Sequence, residues 1–158
     1  MAKQKIYTIK EGKARGAKYC AGQERSQQQV RDKLYDWGLY GDEVEEVLSW
    51  LISEDFVNEE RFAQCYVRGH FKLKKWGKLK IKQGLEQKKI SPYCIKMGMK
   101  EIDPQAYEDT INSLVEKKWN ALKEQNLYIK KQKTVRFLLQ KGFEADLVWE
   151  VVNQLSED

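Results

Sequence analysis

The chain has 158 residues, 41% of them hydrophobic and 34% charged, with a formal net charge of +5. That is enough apolar material to fold, in a chain too short for a catalytic architecture of several domains, and two prolines with ten glycines are too few turn residues for an all-β sandwich. No apolar run approaches the roughly 18 residues of a membrane span, and the start Met1-Ala2-Lys3-Gln4-Lys5 lacks the apolar segment of a signal peptide, so a soluble cytoplasmic protein with no membrane contact is expected.

In chain order, residues 1–9 read as a tail whose only apolar handles are Ile6, Tyr7 and Ile9. A segment at about 10–21 is apolar at helical spacing. Ser26 with Gln29 has the form of a capping box, so a helix starts there and runs to about Asp36, with Gly38 in the left-handed position beyond its end. Its partner runs from about Asp42 to Ser53. Asn58-Glu59-Glu60 places an acceptor and two carboxylates at the positive end of a helix over 58–73, where Phe62, Cys65, Tyr66 and Gly69 share a face. Ser91-Pro92 and Asp103-Pro104 each set a capping side chain before a proline, which marks two more helix starts. The last long segment, 104–126, carries Tyr107, Ile111, Leu114, Val115, Lys118 and Leu122 on one side.

Shifting the chain by 51 positions, and then by 104 or 105, superimposes its apolar residues. Val30 falls on Ile81 and Val135, and Leu34 on Leu85 and Leu139. With one residue deleted in the last copy, Leu39 falls on Ile90 and Phe143, Val44 on Ile95 and Val148, Leu48 on Met99 and Val152, and Leu51 on Ile102 and Leu155. Each copy reads as two short helices joined by a tight turn, and the turn aligns too, Gly38 on Gly142. Adding the longer segments gives an all-α fold of about nine helices: three tandem three-helix repeats over 10–53, 58–100 and 104–157. Units this small bury little alone, so they should lean on one another in an elongated or curved body.

Charge runs in blocks. Residues 36–60 hold nine acidic and no basic side chains, whereas 68–89 hold nine basic ones against Glu86 alone. Such a block attracts polyanions or acidic protein surface. Site chemistry of other kinds is missing: there is no phosphate-binding glycine loop, and His70 is the single histidine, which removes Ser-His-Asp and multi-histidine metal sites. His70 reads as a surface residue. Glu43, Glu45 and Glu46, beside Val44 and Val47, read as the wet side of a helix rather than a metal site. Cys20, Cys65 and Cys94 form no C-x-x-C pair and are expected to be small buried side chains. No enzyme activity, metal or cofactor is implied.

The motifs resemble those of the RecX regulatory proteins. Tyr19-Cys20-Ala21, Glu24-Arg25-Ser26 and Val30-x-x-Lys33-Leu34 are similar to that family's opening, and Phe56-Val57-Asn58-Glu59-Glu60-Arg61-Phe62-Ala63 looks like its central signature. Trp76-Gly77, with Ile81 and Leu85, is similar to its aromatic-glycine segment, and Lys141-Gly142-Phe143 to its C-terminal turn. The middle copy departs, with Lys88-Lys89-Ile90 where a basic-glycine turn is expected. The resemblance covers residues 19 to about 155. It implies a regulator that binds the RecA recombinase filament on single-stranded DNA and suppresses its ATP hydrolysis, strand exchange and promotion of repressor self-cleavage, so tuning recombination and the SOS response. The motif residues Ser26, Leu34, Phe56, Asn58, Arg61, Phe62, Ala63, Trp76, Gly77, Gly142 and Phe143 are read as structural. Phe62 should face the core, Arg61 should tie helices through Glu59 or Glu60, and Trp76 should pack rather than stack on a base.

A mechanism fits these residues. In the alignment above, Arg31, Lys82 and Arg136 share one position, and equivalent positions of stacked repeats line one side. With Arg25, Lys72, Lys74, Lys75, Lys78 and Lys80 they would form a basic surface along the filament, touching acidic protein surface, DNA phosphates or both. The partner is then the recombinase filament, with single-stranded DNA inside it a further candidate contact, and the protein acts as a monomer. The rival is a helical-repeat protein that binds DNA independently and without sequence preference. Sequence-specific reading by the helix pairs is disfavoured, because the second helices begin with Asp42-Glu43 or Glu144-Ala145-Asp146, which repel phosphate.

Overall fold

The computed structural model describes residues 7–157, which contain nine helices and no strand. These are α1 (Ile9–Ala21), α2 (Gln27–Asp36), α3 (Gly41–Ser53), α4 (Glu59–Lys72), α5 (Lys78–Gln87), α6 (Pro92–Met99), α7 (Pro104–Ala121), α8 (Leu127–Gln140) and α9 (Ala145–Glu157). Helices pack in threes, α1 with α2 and α3, α4 with α5 and α6, and α7 with α8 and α9, so the fold is three tandem three-helix repeats.

Caps explain most helix starts. Ser26 is buried, its hydroxyl accepts the Gln29 amide at 3.1 Å, and the Gln29 side chain accepts the Ser26 amide at 2.9 Å. Asn58, Ser91 and Asp103 each accept the amide three residues on. Tyr7, Thr8 and Ile9, expected in the tail, belong to the first repeat. Thr8 and Glu11 form a second capping box that starts α1 at Ile9, and Tyr7 meets the Trp37 ring edge-on at 6.1 Å. Ile6 and the residues before it lie outside the described ones.

The turn after the second helix is the same in all three repeats. Leu39, Ile90 and Phe143 donate to the carbonyls of Leu34, Leu85 and Leu138, five residues back, at 3.1, 3.2 and 3.2 Å. The residue before each has positive φ: Gly38 (93°), Lys89 (63°) and Gly142 (97°). This is a Schellman turn, and both ends of each closing bond are buried side chains. Lys89 therefore adopts the glycine conformation and the middle turn keeps its shape.

These bonds also correct the register of the third repeat. Leu138, not Leu139, is the buried equivalent of Leu34, for Leu138 is 0% and Leu139 41% exposed. The shift is 104 throughout with no deletion, so Val30 falls on Thr134. Thr134 is buried because its hydroxyl donates to the Lys130 carbonyl at 2.9 Å, which removes the cost of burying a polar group. A second correction concerns α7, which stops at Ala121 rather than running to 126. Leu122 turns to extended backbone, and Asn126 caps α8 by accepting the Ile129 amide at 3.1 Å.

The repeats are not equally spaced beads. The first has its own core of Val30, Leu34, Leu39, Val44, Val47, Leu48 and Leu51, whereas the second and third share one continuous core that includes Phe71, Ile81, Tyr107, Leu138 and Phe143.

Candidate protein and nucleic-acid interface

The basic block folds into the corner between α4 and α5. Leu73 ends α4, its amide donating to the Gly69 carbonyl at 2.9 Å. Lys75 then takes a positive φ of 58°, and the Trp76 amide reaches back to the His70 carbonyl at 3.0 Å. Next the chain touches the α8–α9 turn. The Gly77 amide donates to the Lys141 carbonyl at 2.7 Å, and the Leu79 amide to the Gly142 carbonyl at 3.0 Å. Gly77 allows this approach, because a Cβ there would lie 2.3 Å from the Gly142 carbonyl carbon. Trp76-Gly77 and Lys141-Gly142-Phe143, separate in sequence, are two halves of one joint.

Tyr107 completes it from α7. Its hydroxyl accepts the Lys78 amide at 3.0 Å and donates to the Glu144 carboxylate in a short bond. Burial, reinforced by the carboxylate, raises the phenol far above its ordinary value. Phe71 and Phe143 flank the ring at 5.9 and 5.4 Å.

Trp76 is fully engaged. The ammonium groups of Lys80 and Lys74 lie 4.4 and 5.3 Å from its ring centre, and the His70 ring lies 4.7 Å away. It packs, as expected. His70 is not the surface residue read from sequence: it is half-buried between Trp76 and Tyr66, whose ring is stacked on it at 3.7 Å. Burial, helped by Lys74 and Lys88, holds its pKa below the usual histidine value, so it is neutral at pH 7.

The candidate cations divide. Lys72, Lys74 and Lys75 are exposed, with Lys78 and Lys80 half-buried in the same corner, and Lys82 is exposed one turn further along α5. Lys141 joins them by donating to the Lys74 carbonyl at 3.3 Å, a member that sequence reasoning missed because it comes from the third repeat. Arg25 and Arg31 are committed within the first repeat. Arg25 lies 4.0 Å over the Tyr19 ring, and Arg31 grips Glu45 with two bonds of 3.0 and 3.1 Å. That pairing raises the guanidinium pKa and lowers that of the carboxyl. Arg136 is exposed, but with the corrected register the equivalent of Arg31 and Lys82 is Val135, so the three do not occupy one position.

Arg61 ties helices through other partners than Glu59 or Glu60. Its Nε donates to Glu24 at 2.7 Å, Nη1 to the Asp55 carboxylate at 3.1 Å and Nη2 to the Asp55 carbonyl at 3.0 Å. Glu59 instead accepts the Gln27 amide at 3.1 Å, and burial raises its pKa. These bonds join the first repeat to the second. Phe62 is buried as expected, Ala63 is fully buried, and Phe56 stacks on Trp50 at 5.9 Å. Of the cysteines only Cys20 is buried; Cys65 and Cys94 are half-buried. Among the described residues no cluster of three His, Cys, Asp or Glu could hold a metal, and no helix is long and apolar enough to cross a membrane.

Family models for the first, second and third three-helix domains of RecX match residues 13–51, 58–99 and 106–152, in that order. The chain belongs to the RecX family. It is 32% identical over 136 residues to the regulatory protein RecX of Clostridium perfringens strain 13, covering 85% of this chain and 63% of that one. It is 31% identical over 140 residues to the RecX of Clostridium tetani, covering 87% and 64%. The chain thus spans less than two thirds of the length of these clostridial relatives. The crystal structure of RecX from Lactobacillus salivarius superimposes with a TM-score of 0.86 at 25% identity, covering 95% of this chain and 97% of that one. In this RecX chain the motif residues are caps, core and joint: Ser26 and Asn58 cap helices, Leu34, Phe62, Ala63 and Phe143 fill cores, Phe56 packs against the first core, Arg61 ties the first two repeats, and Trp76, Gly77 and Gly142 build the second joint.

Proposed function

We propose that this RecX chain binds the RecA recombinase filament on single-stranded DNA and inhibits its ATP hydrolysis, strand exchange and promotion of repressor self-cleavage, as a cytoplasmic monomer without enzymatic activity of its own. The observation that carries the reading is the presence of all three RecX domains, in order, in one chain. A filament presents the same protomer surface at regular intervals, and a body of three tandem repeats can engage several protomers through contacts that are individually weak. A bridge of this kind restrains the movement of protomers that turnover requires. The lysine corner of the second repeat supplies the attraction to a polyanionic assembly, which salt weakens.

The test is DNA-dependent ATP hydrolysis by the recombinase of the same organism, titrated with this protein at two salt concentrations. Inhibition well below one molecule per protomer, relieved by salt, supports the reading. A folded protein that binds bare DNA and leaves hydrolysis unchanged favours independent DNA binding instead.

A further inference from the structure

Two leucines at the α4–α5 corner are left unused by the fold. Leu73 is 85% and Leu79 56% exposed, whereas Leu34, Leu51, Leu85 and Leu138 are fully buried. A lone exposed leucine is ordinary, but these stand six residues apart in Lys72-Leu73-Lys74-Lys75-Trp76-Gly77-Lys78-Leu79-Lys80. Their backbone is fixed: the Leu73 amide is bonded to the Gly69 carbonyl, the Leu79 amide to Gly142, and the Trp76 ring between them carries Lys74 and Lys80.

The lysines of this corner attract phosphate as point charges, with no directed donors beside them. Amides at a helix N-terminus are the usual phosphate donors, yet those of Gly77, Lys78 and Leu79 are already taken by Lys141, Tyr107 and Gly142. Residues 72–80 contain no arginine fork, hydroxyl or amide side chain. DNA backbone offers nothing to an exposed leucine. A protein surface does, since interfaces bury an apolar centre within a polar rim.

We propose that the α4–α5 corner is a protein-docking knob. Leu73 and Leu79 enter an apolar socket on the partner protein, and Lys72 and Lys75 pair with acidic side chains on its rim. Resting on the function proposed above, the partner is a recombinase protomer rather than the DNA it coats. Preorganisation is confined to the backbone, which is already ordered in the free protein, so binding has only the leucine and lysine side chains left to order.

The experiment compares wild type, Leu73→Ser and Leu79→Ser for affinity toward recombinase filaments on single-stranded DNA, toward the same bare DNA, and for self-association by sedimentation. Both side chains face solvent, so unchanged circular dichroism and melting verify the fold. Loss of one buried leucine should weaken filament binding by roughly tenfold or more, with bare-DNA affinity unchanged. Three results overturn the knob: equal filament affinity, a parallel loss on bare DNA, or a loss confined to self-association, which would make the partner a second copy bringing its own acidic residues 42–46. Failure of the wild type to bind filaments overturns the proposed function and the knob with it, a result distinguishable from failure of the variants to differ.

Discussion

Replacing Gly77 by alanine places a methyl group where the joint between the second and third repeats has no room. The new Cβ would lie 2.3 Å from the Gly142 carbonyl carbon and 2.4 Å from both its oxygen and the Phe143 nitrogen. Carbon atoms rest at about 3.5 Å, and a backbone obstacle cannot rotate aside, so the start of α5 must retreat by about 1 Å. Retreat stretches the bonds from Gly77 to Lys141 (2.7 Å) and from Leu79 to Gly142 (3.0 Å). Weakening the two at about 0.5–1.5 kcal/mol each, with overpacking at about 1–3 kcal/mol, gives a loss on the order of 3 kcal/mol. Alanine tolerates the backbone at Gly77, φ −79° and ψ 169°, so the cost is steric. Urea unfolding followed by circular dichroism measures it as a lower midpoint at unchanged slope. Gly69→Ala is the control: it lies within α4 with nothing within 4 Å of its added methyl, and should stabilise by up to about 1 kcal/mol. A loss below about 1 kcal/mol for Gly77→Ala would refute a joint held by close backbone contact.

Three further outcomes are expected. Lys89→Gly relieves a left-handed lysine at φ 63° and should raise stability by about 0.5–1 kcal/mol, after the entropy cost of glycine, measured as a rise of about 2 °C in Tm. Arg61→Ala removes the bonds to Glu24 and Asp55 between the first two repeats; because that side chain is one-third exposed (34%), the loss should be only about 1–2 kcal/mol, seen as easier proteolysis near the first joint. Tyr107→Phe strips Lys78 and Glu144 of their shared hydroxyl and should cost about 1–2 kcal/mol. It also changes the alkaline limb of a pH titration. The Tyr107 pKa is raised by folding, so above about pH 10 the folded state keeps a proton that the unfolded state has lost, and its contribution to stability falls as pH rises. The variant should show a shallower decline above pH 10, and an unchanged slope would count against the buried phenol.

Local rules made the helices and repeats legible. Ser26 with Gln29, Ser91-Pro92 and Asp103-Pro104 each announce a helix start through their own side chains, and Gly38 and Gly142 announce the turns. Where the deciding interaction is distant or breaks the apolar pattern, the sequence misleads. Thr134 is buried as a polar residue, which invited a one-residue slip and a spurious alignment of Arg136 with Arg31 and Lys82. The end of α7 carries no glycine or proline, Leu122-Lys123-Glu124-Gln125 favours helix by composition, and Asn126 is its only sign. Arg61 finds Glu24 across 37 residues of chain, and no spacing rule points there. The basic block was visible as charge, but the pairing of Arg31, the capture of Lys74 and Lys80 by Trp76, and the exposure of Leu73 and Leu79 beside them emerge only from packing.

The proposed recognition of the assembled recombinase filament, rather than of naked DNA, is tested by co-sedimentation with recombinase-coated single strands and with the same strands bare, across a salt series. Binding to filaments should persist at salt concentrations that abolish binding to bare DNA, with saturation below one molecule per protomer. Equal affinities for the two, falling with the same salt slope, would contradict it.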